Sequence, residues 1–386
     1  MSDQSSRKQS IVTRVAQALH FVEAETGAVV PAIQPAATYA RDENYEVRKP
    51  YWYRRDGSQT TAHAEAIIAE LENGADSLLF SSGMSACTAV IEHLPTGAHV
   101  VVPQVMYHGV LQQVQNYEKN KRITVSYYTA GNLGELASAV RAGETQLVWV
   151  ETPNNPNWEV TDIAAAAEIA HEVGAKLIAD CTATPPSMTR ALELGADISF
   201  HSATKYLNGH SDITAGVLSV KETGQFWDDI AMVRKLQGTV LHSQDAWLLI
   251  RGMRTLFLRV ERSCKNAMAI AMHFEGHPHI EAVLYPGLAS DLGHEVAKRQ
   301  TGGQFGGMMS IIIKGTEQTA IDVTRFCELF YPATSLGGVE SLVEHRKTVS
   351  GEGFPVHPRL LRLSIGIEEA DDLIYDLEQA LARACG

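Results

Sequence analysis

Short apolar runs alternate with helically spaced stretches through the first half of the chain, and this alternation constrains the fold more than any other feature. Ser77 to Phe80, His99 to Pro103, Ile123 to Tyr128, Gln146 to Val150 and Ala175 to Asp180 read as strands. Ala62 to Leu71, Ser85 to Leu94 and Thr161 to Val173 read as helices. Such alternation predicts an α/β layer built on a mainly parallel sheet.

At 386 residues the chain exceeds what one core holds, since single cores stop growing near ~250 to 300 residues. A long amphipathic stretch, Thr255 to Glu275, is a natural connector between two units. Beyond it Ile280 to Tyr285, Met308 to Ile313, Cys327 to Tyr331 and Leu360 to Ser364 are candidate strands, and Ala370 to Ala384 a terminal helix. The expected division is therefore an arm at 1–59, a large domain at 60–245 and a smaller C-terminal α+β domain at 246–386. The arm carries Tyr39, Tyr45, Tyr51, Trp52 and Tyr53 without a long helical period between Gly27 and Gly57. An extended aromatic segment buries little on its own chain, so it is expected to pack on a neighbouring subunit.

The net charge of −13 without a basic block argues against nucleic acid as a partner. Met1 to Ser10 is polar, and no run approaches the ~20 apolar residues that span a bilayer, so no membrane is expected and a cytoplasmic location is. Cys87, Cys181, Cys264, Cys327 and Cys385 are scattered, with no metal-ligand spacing, and read as reduced thiols.

The chemistry concentrates at Ser202-Ala203-Thr204-Lys205, just after the strand-like residues Ser199 to His201. A lysine amine condenses with an aldehyde only when unprotonated, which requires a partly desolvated or electropositive site. Ser202 and Thr204 are placed to hydrogen-bond a phosphate beside it. Asp180 ends an upstream strand, and open parallel sheets bind ligands outside the carboxyl ends of their strands. A carboxylate there can keep a pyridine nitrogen protonated, which makes the ring an electron sink. Ser82-Gly83-Met84 lies between a strand and a helix, where backbone amides favour anions. Taken singly, each motif also describes ordinary α/β architecture.

Together with Tyr53-Arg54-Arg55, Tyr107-His108-Gly109, Glu151-Thr-Pro-Asn-Asn-Pro156, Ser335-Leu-Gly-Gly338 and Leu361-Arg-Leu-Ser364, in that order over nearly the whole chain, these motifs resemble the Cys/Met-metabolism (transsulfuration) family. That family comprises pyridoxal 5'-phosphate (PLP) enzymes of fold type I. The resemblance implies a cofactor site built from Tyr53, Arg55, Gly83, Met84, Tyr107, Asn155, Asp180, Ser202, Thr204 and Lys205. It assigns catalysis to Lys205 and Tyr107, with Tyr107 also stacked on the cofactor ring, and substrate binding to Ser335 and Arg362. Tyr53 and Arg55 would reach across a subunit interface, implying a homodimer or a homotetramer made of dimers, with shared sites.

The departures from the family pattern bear on the reaction. Thr334 stands where γ-acting members carry Glu, and His108 and Val110 replace the usual glycine and threonine. Leu336 occupies the place of the β-lyase tryptophan, while Tyr53 to Thr61 looks closer to β-lyases. Lys347-Thr-Val-Ser350 replaces a Thr-His-Ala-Ser run. The expected activity is α,β-elimination from a sulfur amino acid such as cystathionine, with γ-replacement or γ-elimination as the alternative. His108, with an ordinary pKa of about 6.5, is a candidate acid for a leaving thiolate or a plain packing residue.

Overall fold

The computed structural model describes residues 9–48, 50–351 and 354–386; the polar leader read above lies, up to Lys8, outside them. Seven strands form the larger sheet: β1 (Asp76–Phe80), β2 (Ala98–Pro103), β3 (Ile123–Tyr128), β4 (Thr145–Glu151), β5 (Lys176–Asp180), β6 (Ile198–His201) and β7 (Gly216–Val220). Their order is β1-β7-β6-β5-β4-β2-β3, with β7 alone running opposite to the other six.

Successive residues of these strands point to opposite faces, and both faces are covered. Val100, Val102, Leu147, Trp149 and Ile178 join the core beneath helices Gly83–Glu92, His108–Lys119 and Gln225–Gln237. Val101, Val148, Val150, Leu177 and Ala179 face the other way, toward helices Leu133–Ala139 and Ile163–Glu172. The loops that follow β1, β2, β4, β5 and β6 gather at one edge of the sheet, where an open α/β architecture holds its ligand.

The smaller sheet contains β8 (Ile280–Leu284), β9 (Met308–Ile313), β10 (Tyr331–Pro332), β11 (Leu342–His345) and β12 (Leu360–Ser364), in the order β10-β11-β12-β9-β8. One face buries Met309, Ile311, Val343, Leu361 and Leu363 among helices Leu256–Phe274, Glu317–Phe326 and Ala370–Cys385. The other face carries a polar row, because Glu344, Arg362 and Ser310 are register partners across β11, β12 and β9. Trp158 joins this row to the large unit by donating from Nε1 to the Ser310 hydroxyl at 2.8 Å.

The structure is the expected α/β fold of type I, with a large, mainly parallel unit and a smaller C-terminal one. We propose the domain cut after Met253 rather than at 245/246, since helix Ser243–Met253 packs on helix Gln59–Glu72. One expected strand is corrected. The stretch from Cys327 to Phe330 stays out of the sheet because the Asp376 carboxylate accepts the amides of Glu328, Leu329 and Phe330 at 2.7, 2.8 and 3.0 Å. Only Tyr331 and Pro332 go on to pair. The arm is largely irregular from Gly27 to Gly57 and leaves Val29, Tyr45, Val47, Trp52 and Tyr53 exposed. Among the described residues no helix is long and apolar enough to cross a membrane.

Candidate active site

A cavity of about 530 Å³ opens at the carboxyl edge of the large sheet, between it and the polar row of the small sheet. Ser82, Gly83, Met84, Tyr107, Asn155, Asp180, Ser202, Thr204, Lys205, Ser335 and Arg362 all line it, so residues scattered over the sequence meet in one place. Tyr53 and Arg55 do not. They sit together on the arm, the Arg55 guanidinium 4.8 Å from the Tyr53 ring centre, away from the lining of their own chain. Arg54, between them, is tied to its own chain by Ser243 and the Leu241 carbonyl at 2.7 and 3.1 Å.

One end of the cavity is a cradle for an anion. Ser82 caps helix Gly83–Glu92, its side chain accepting from the Ser85 amide at 3.0 Å. The next residue is closely packed: a Cβ on Gly83 would sit 3.1 Å from the Ser202 hydroxyl. Helix amino terminus, glycine and serine hydroxyl thus converge as a phosphate requires. The Thr204 hydroxyl is engaged on both sides by Ala215, donating to its carbonyl at 3.1 Å and accepting from its amide at 2.9 Å. That locks the loop carrying Lys205.

Lys205 donates from Nζ to the Ser335 hydroxyl at 2.7 Å. Burial and the Arg362 charge pull its pKa from 10.5 down to about 8, against the opposing effect of Glu344. The amine is therefore partly free near neutrality, as condensation with an aldehyde demands. Ser335 adopts φ of 95°, a region that costs a non-glycine residue about 1–3 kcal/mol. Its turn is pinned by three contacts. Arg362 donates to the Ser335 carbonyl at 2.8 Å, Ser364 accepts from the Gly337 amide at 3.0 Å, and Gly337 lies so close to Tyr206 that a Cβ there would clash at 2.8 Å.

Asp180 and Glu151 end neighbouring strands in register. Burial raises Asp180 to about 6, and burial together with Asp180 raises Glu151 to about 8. Asp180 accepts the Thr182 amide at 2.9 Å, while Glu151 accepts the amides of Tyr107 and Asn155 at 2.6 and 2.8 Å. A buried carboxylate in this position gains from a cationic partner. A protonated ring nitrogen meets that need, so the carboxylate and the anion cradle both fit a pyridine carrying a phosphate.

Three residues that sequence reading passed over complete the site. Glu151 was legible only as the first letter of a motif. Glu344 and Arg346 line the cavity with side chains 3% and 2% exposed. Glu344 pairs with Arg362 at 2.6 Å and Arg346 at 3.2 Å through the same oxygen, while Arg346 donates to His108 Nδ1 at 3.2 Å. Burial and Arg346 lower the pKa of His108, so at neutral pH it is an uncharged acceptor rather than a ready acid. Among the described residues no group of three His, Cys, Asp or Glu side chains is placed to hold a metal.

A desolvated lysine, a buried carboxylate, an anion cradle and a buried arginine on an open α/β sheet define an enzyme of amino acid chemistry that works with a phosphorylated aldehyde cofactor. A family profile described as Cys/Met metabolism PLP-dependent enzyme matches residues 13–382. The chain belongs to this family and is a PLP-dependent enzyme. It is 38% identical over 390 residues to the cystathionine beta-lyase of Coxiella burnetii, covering 99% of this chain and 100% of that one. It is likewise 38% identical over 390 residues to the cystathionine gamma-synthase of Mycobacterium bovis, with the same coverage. The cystathionine gamma synthase of Xanthomonas oryzae pv. oryzae, solved with aminoacrylate and cysteine, matches with a TM-score of 0.92 and 33% identity, over 98% of this chain and 99% of that one.

Proposed function

We propose that the chain is a carbon–sulfur lyase that expels a thiol from the β-carbon of a sulfur amino acid such as cystathionine. One observation carries this reading: each carboxylate lining the cavity is held by protein groups, and among the described residues only Glu344 Oε1 is buried there without a partner. Backbone amides hold Glu151 and Asp180, two guanidiniums hold Glu344, and position 334 offers a threonine hydroxyl. A β-elimination needs one base at the α-carbon, which Lys205 supplies. The γ-acting reactions need a second proton shift and a group to manage it, for which these walls offer little.

In this reading Gly83, Met84 and Ser202 hold the phosphate of pyridoxal phosphate, Asn155 its phenolic oxygen and Asp180 its ring nitrogen, with Tyr107 against the ring face; Thr204, expected from the sequence to share the phosphate, gives both its amide and its hydroxyl proton to the Ala215 carbonyl and secures the loop instead. When bound, the cofactor supplies an electron sink for charge at the substrate α-carbon. Arg362 grips the α-carboxylate with its planar fork. Lys205, with a pKa of about 8, takes and returns the α-proton near neutrality, and Ser335 aims its amine. Tyr53 and Arg55, absent from the lining of their own cavity, serve the site of a second subunit. Free cysteines throughout the described residues favour a reducing compartment, the cytoplasm.

A γ-replacing or γ-eliminating activity is the second reading, favoured by the gamma-synthase relatives at equal identity. The keto acid released from cystathionine separates the two. Pyruvate is expected. Dominant 2-oxobutyrate, or consumption of an O-acylhomoserine only when a thiol is supplied, overturns the β-lyase reading.

A further inference from the structure

His108 opens helix His108–Lys119 where the family pattern has a glycine, so the contacts of its ring come with this chain. The ring lines the cavity. From the other wall Arg346, at the start of helix Arg346–Ser350, donates from Nη2 to His108 Nδ1 at 3.2 Å. A guanidinium cannot accept, so Nδ1 presents a lone pair and the ring proton sits on Nε2. Arg346 is itself fixed, its side chain buried and held by Glu344 at 3.2 Å. The bond therefore ties the large unit to the small one.

Other hydrogen bonds cross the same space. Lys205 donates to Ser335 at 2.7 Å and Trp158 to Ser310 at 2.8 Å, but both acceptors are hydroxyls, which keep their charge at any working pH. His108 is different, because an imidazole that gains a proton at Nδ1 can no longer accept. Burial, Arg346 and Arg362 favour its neutral form, and Glu344 opposes them. Cys87 on helix Gly83–Glu92 and Glu151 at the end of β4 are the other titratable groups nearby, and they act on Tyr107.

Tyr107 is the residue that His108 supports. The two rings lie 4.8 Å apart between centres at a tilt of 56°. Glu151 holds the Tyr107 amide at 2.6 Å, and the ring lies so close to Gly109 that a Cβ there would come within 2.9 Å of it. Packing against Gly109 and His108 thus sets the direction of a side chain that is 39% exposed.

We propose that His108 is a positioning residue for Tyr107: accepting from Arg346 across the cavity, its ring holds the Tyr107 ring in place, and protonation of His108 releases the tie. This rests on the reading that sets Tyr107 against the cofactor ring, and it holds for a β- or a γ-acting enzyme alike.

Two readouts test it on the holoenzyme, neither of them turnover. Diethyl pyrocarbonate modifies only a neutral imidazole, so its rate at His108 against pH, followed by mass spectrometry of the His108 peptide, gives the midpoint of that ring. Arg346→Met should raise this midpoint by about one pH unit, the value of one hydrogen bond to a charged group. The second readout is the visible circular dichroism of the bound cofactor, which reports how it sits against its neighbours. In the wild type the signal should change as pH falls through the His108 midpoint. His108→Asn, whose Oδ1 accepts as Nδ1 does but takes no proton, should lose that step and keep the neutral signal. Arg346→Met should give the acid signal already at neutral pH. Titration of Asp180 or Lys205 persists in His108→Asn, so the step that counts is the one lost on that substitution.

A midpoint unmoved in Arg346→Met, or no step lost in His108→Asn, overturns the proposal. Far-ultraviolet circular dichroism checks each fold, and should Arg346→Met fail to fold, His108→Asn decides alone. Tyr107→Leu separates the proposal from the reading beneath it. If that variant keeps the wild-type signal and its step, Tyr107 does not lie against the ring, and the proposal falls with that reading. If it abolishes the step while His108→Asn retains it, the reading of Tyr107 stands and the proposal alone falls.

Discussion

Replacing Glu344 by Gln is expected to lower the pKa of Lys205 and to speed cofactor capture by the apoenzyme near neutral pH. The reasoning starts from the forces on the amine. Burial and Arg362 bring it from 10.5 to about 8, and Glu344 is the group that resists. An amine at about 8 is about one-tenth free at pH 7, where an ordinary lysine is free in only about 3 parts in 10,000, so the site multiplies the reactive form by about 300. Removing the carboxylate withdraws the one charge that favours the ammonium, and the midpoint moves below 8. The gain at pH 7 is capped at about tenfold, because the free fraction cannot exceed one. The assay is the rate at which apoenzyme captures pyridoxal phosphate, followed by visible absorbance from pH 6 to 10. Arg362→Met is the counter-perturbation, since it removes a charge that lowers the amine and should raise the midpoint. Breaking a buried pair costs about 3–5 kcal/mol, so the folded fraction of each variant is measured first. A midpoint in Glu344→Gln at or above that of the wild type, with the protein folded, would refute the electrostatic account of Lys205.

Three further outcomes are expected. Ser335→Gly should stabilise the apoenzyme to denaturant by about 1 kcal/mol by releasing its unfavourable φ, whereas Ser335→Ala should show no such gain. The apoenzyme should lose stability between about pH 4 and 8, because carboxyls whose folded values lie above their unfolded ones hold protons longer when folded; Glu151→Gln should flatten that decline in pH-dependent unfolding. Mixing Lys205→Ala with Arg55→Ala chains under subunit exchange should restore activity to hybrid dimers, and failure with exchange demonstrated would assign the arm to its own subunit.

The large sheet was legible because the middles of its central strands are continuous apolar runs and its helices are not. Val100 to Val102 and Leu147 to Val150 serve cores on both faces, so no polar residue interrupts them. Side-chain capture of backbone groups is what sequence patterns miss. Cys327 to Phe330 has strand composition, yet Asp376, from the terminal helix, takes the amides that would have built a ladder. Leu342 to His345 is the converse, a short segment whose strand character comes from pairing with β12.

The same distinction explains which site residues could be read. Asp180 ends β5, and Gly83 and Lys205 lie three and four residues past the ends of β1 and β6, so their positions are set by local chain direction, and a motif is enough to find them. Glu344 and Arg346 belong to the site for a different reason. Glu344 lies on β11, whose register against β12 sets it opposite Arg362, and Arg346 opens the short helix Arg346–Ser350 that follows the strand, where it reaches back to the Glu344 carboxylate. Two arginines and a glutamate become a buried cluster only once that register forms. The signal available in the sequence was the acid–base pair at i and i+2 after the apolar Leu342-Val343, which alone describes a solvated strand end equally well. Its burial is what changes its meaning: exposed, three charges would be screened by water, but inside the cavity Arg362 lowers the proton affinity of Lys205 and Glu344, shared by both arginines, opposes it.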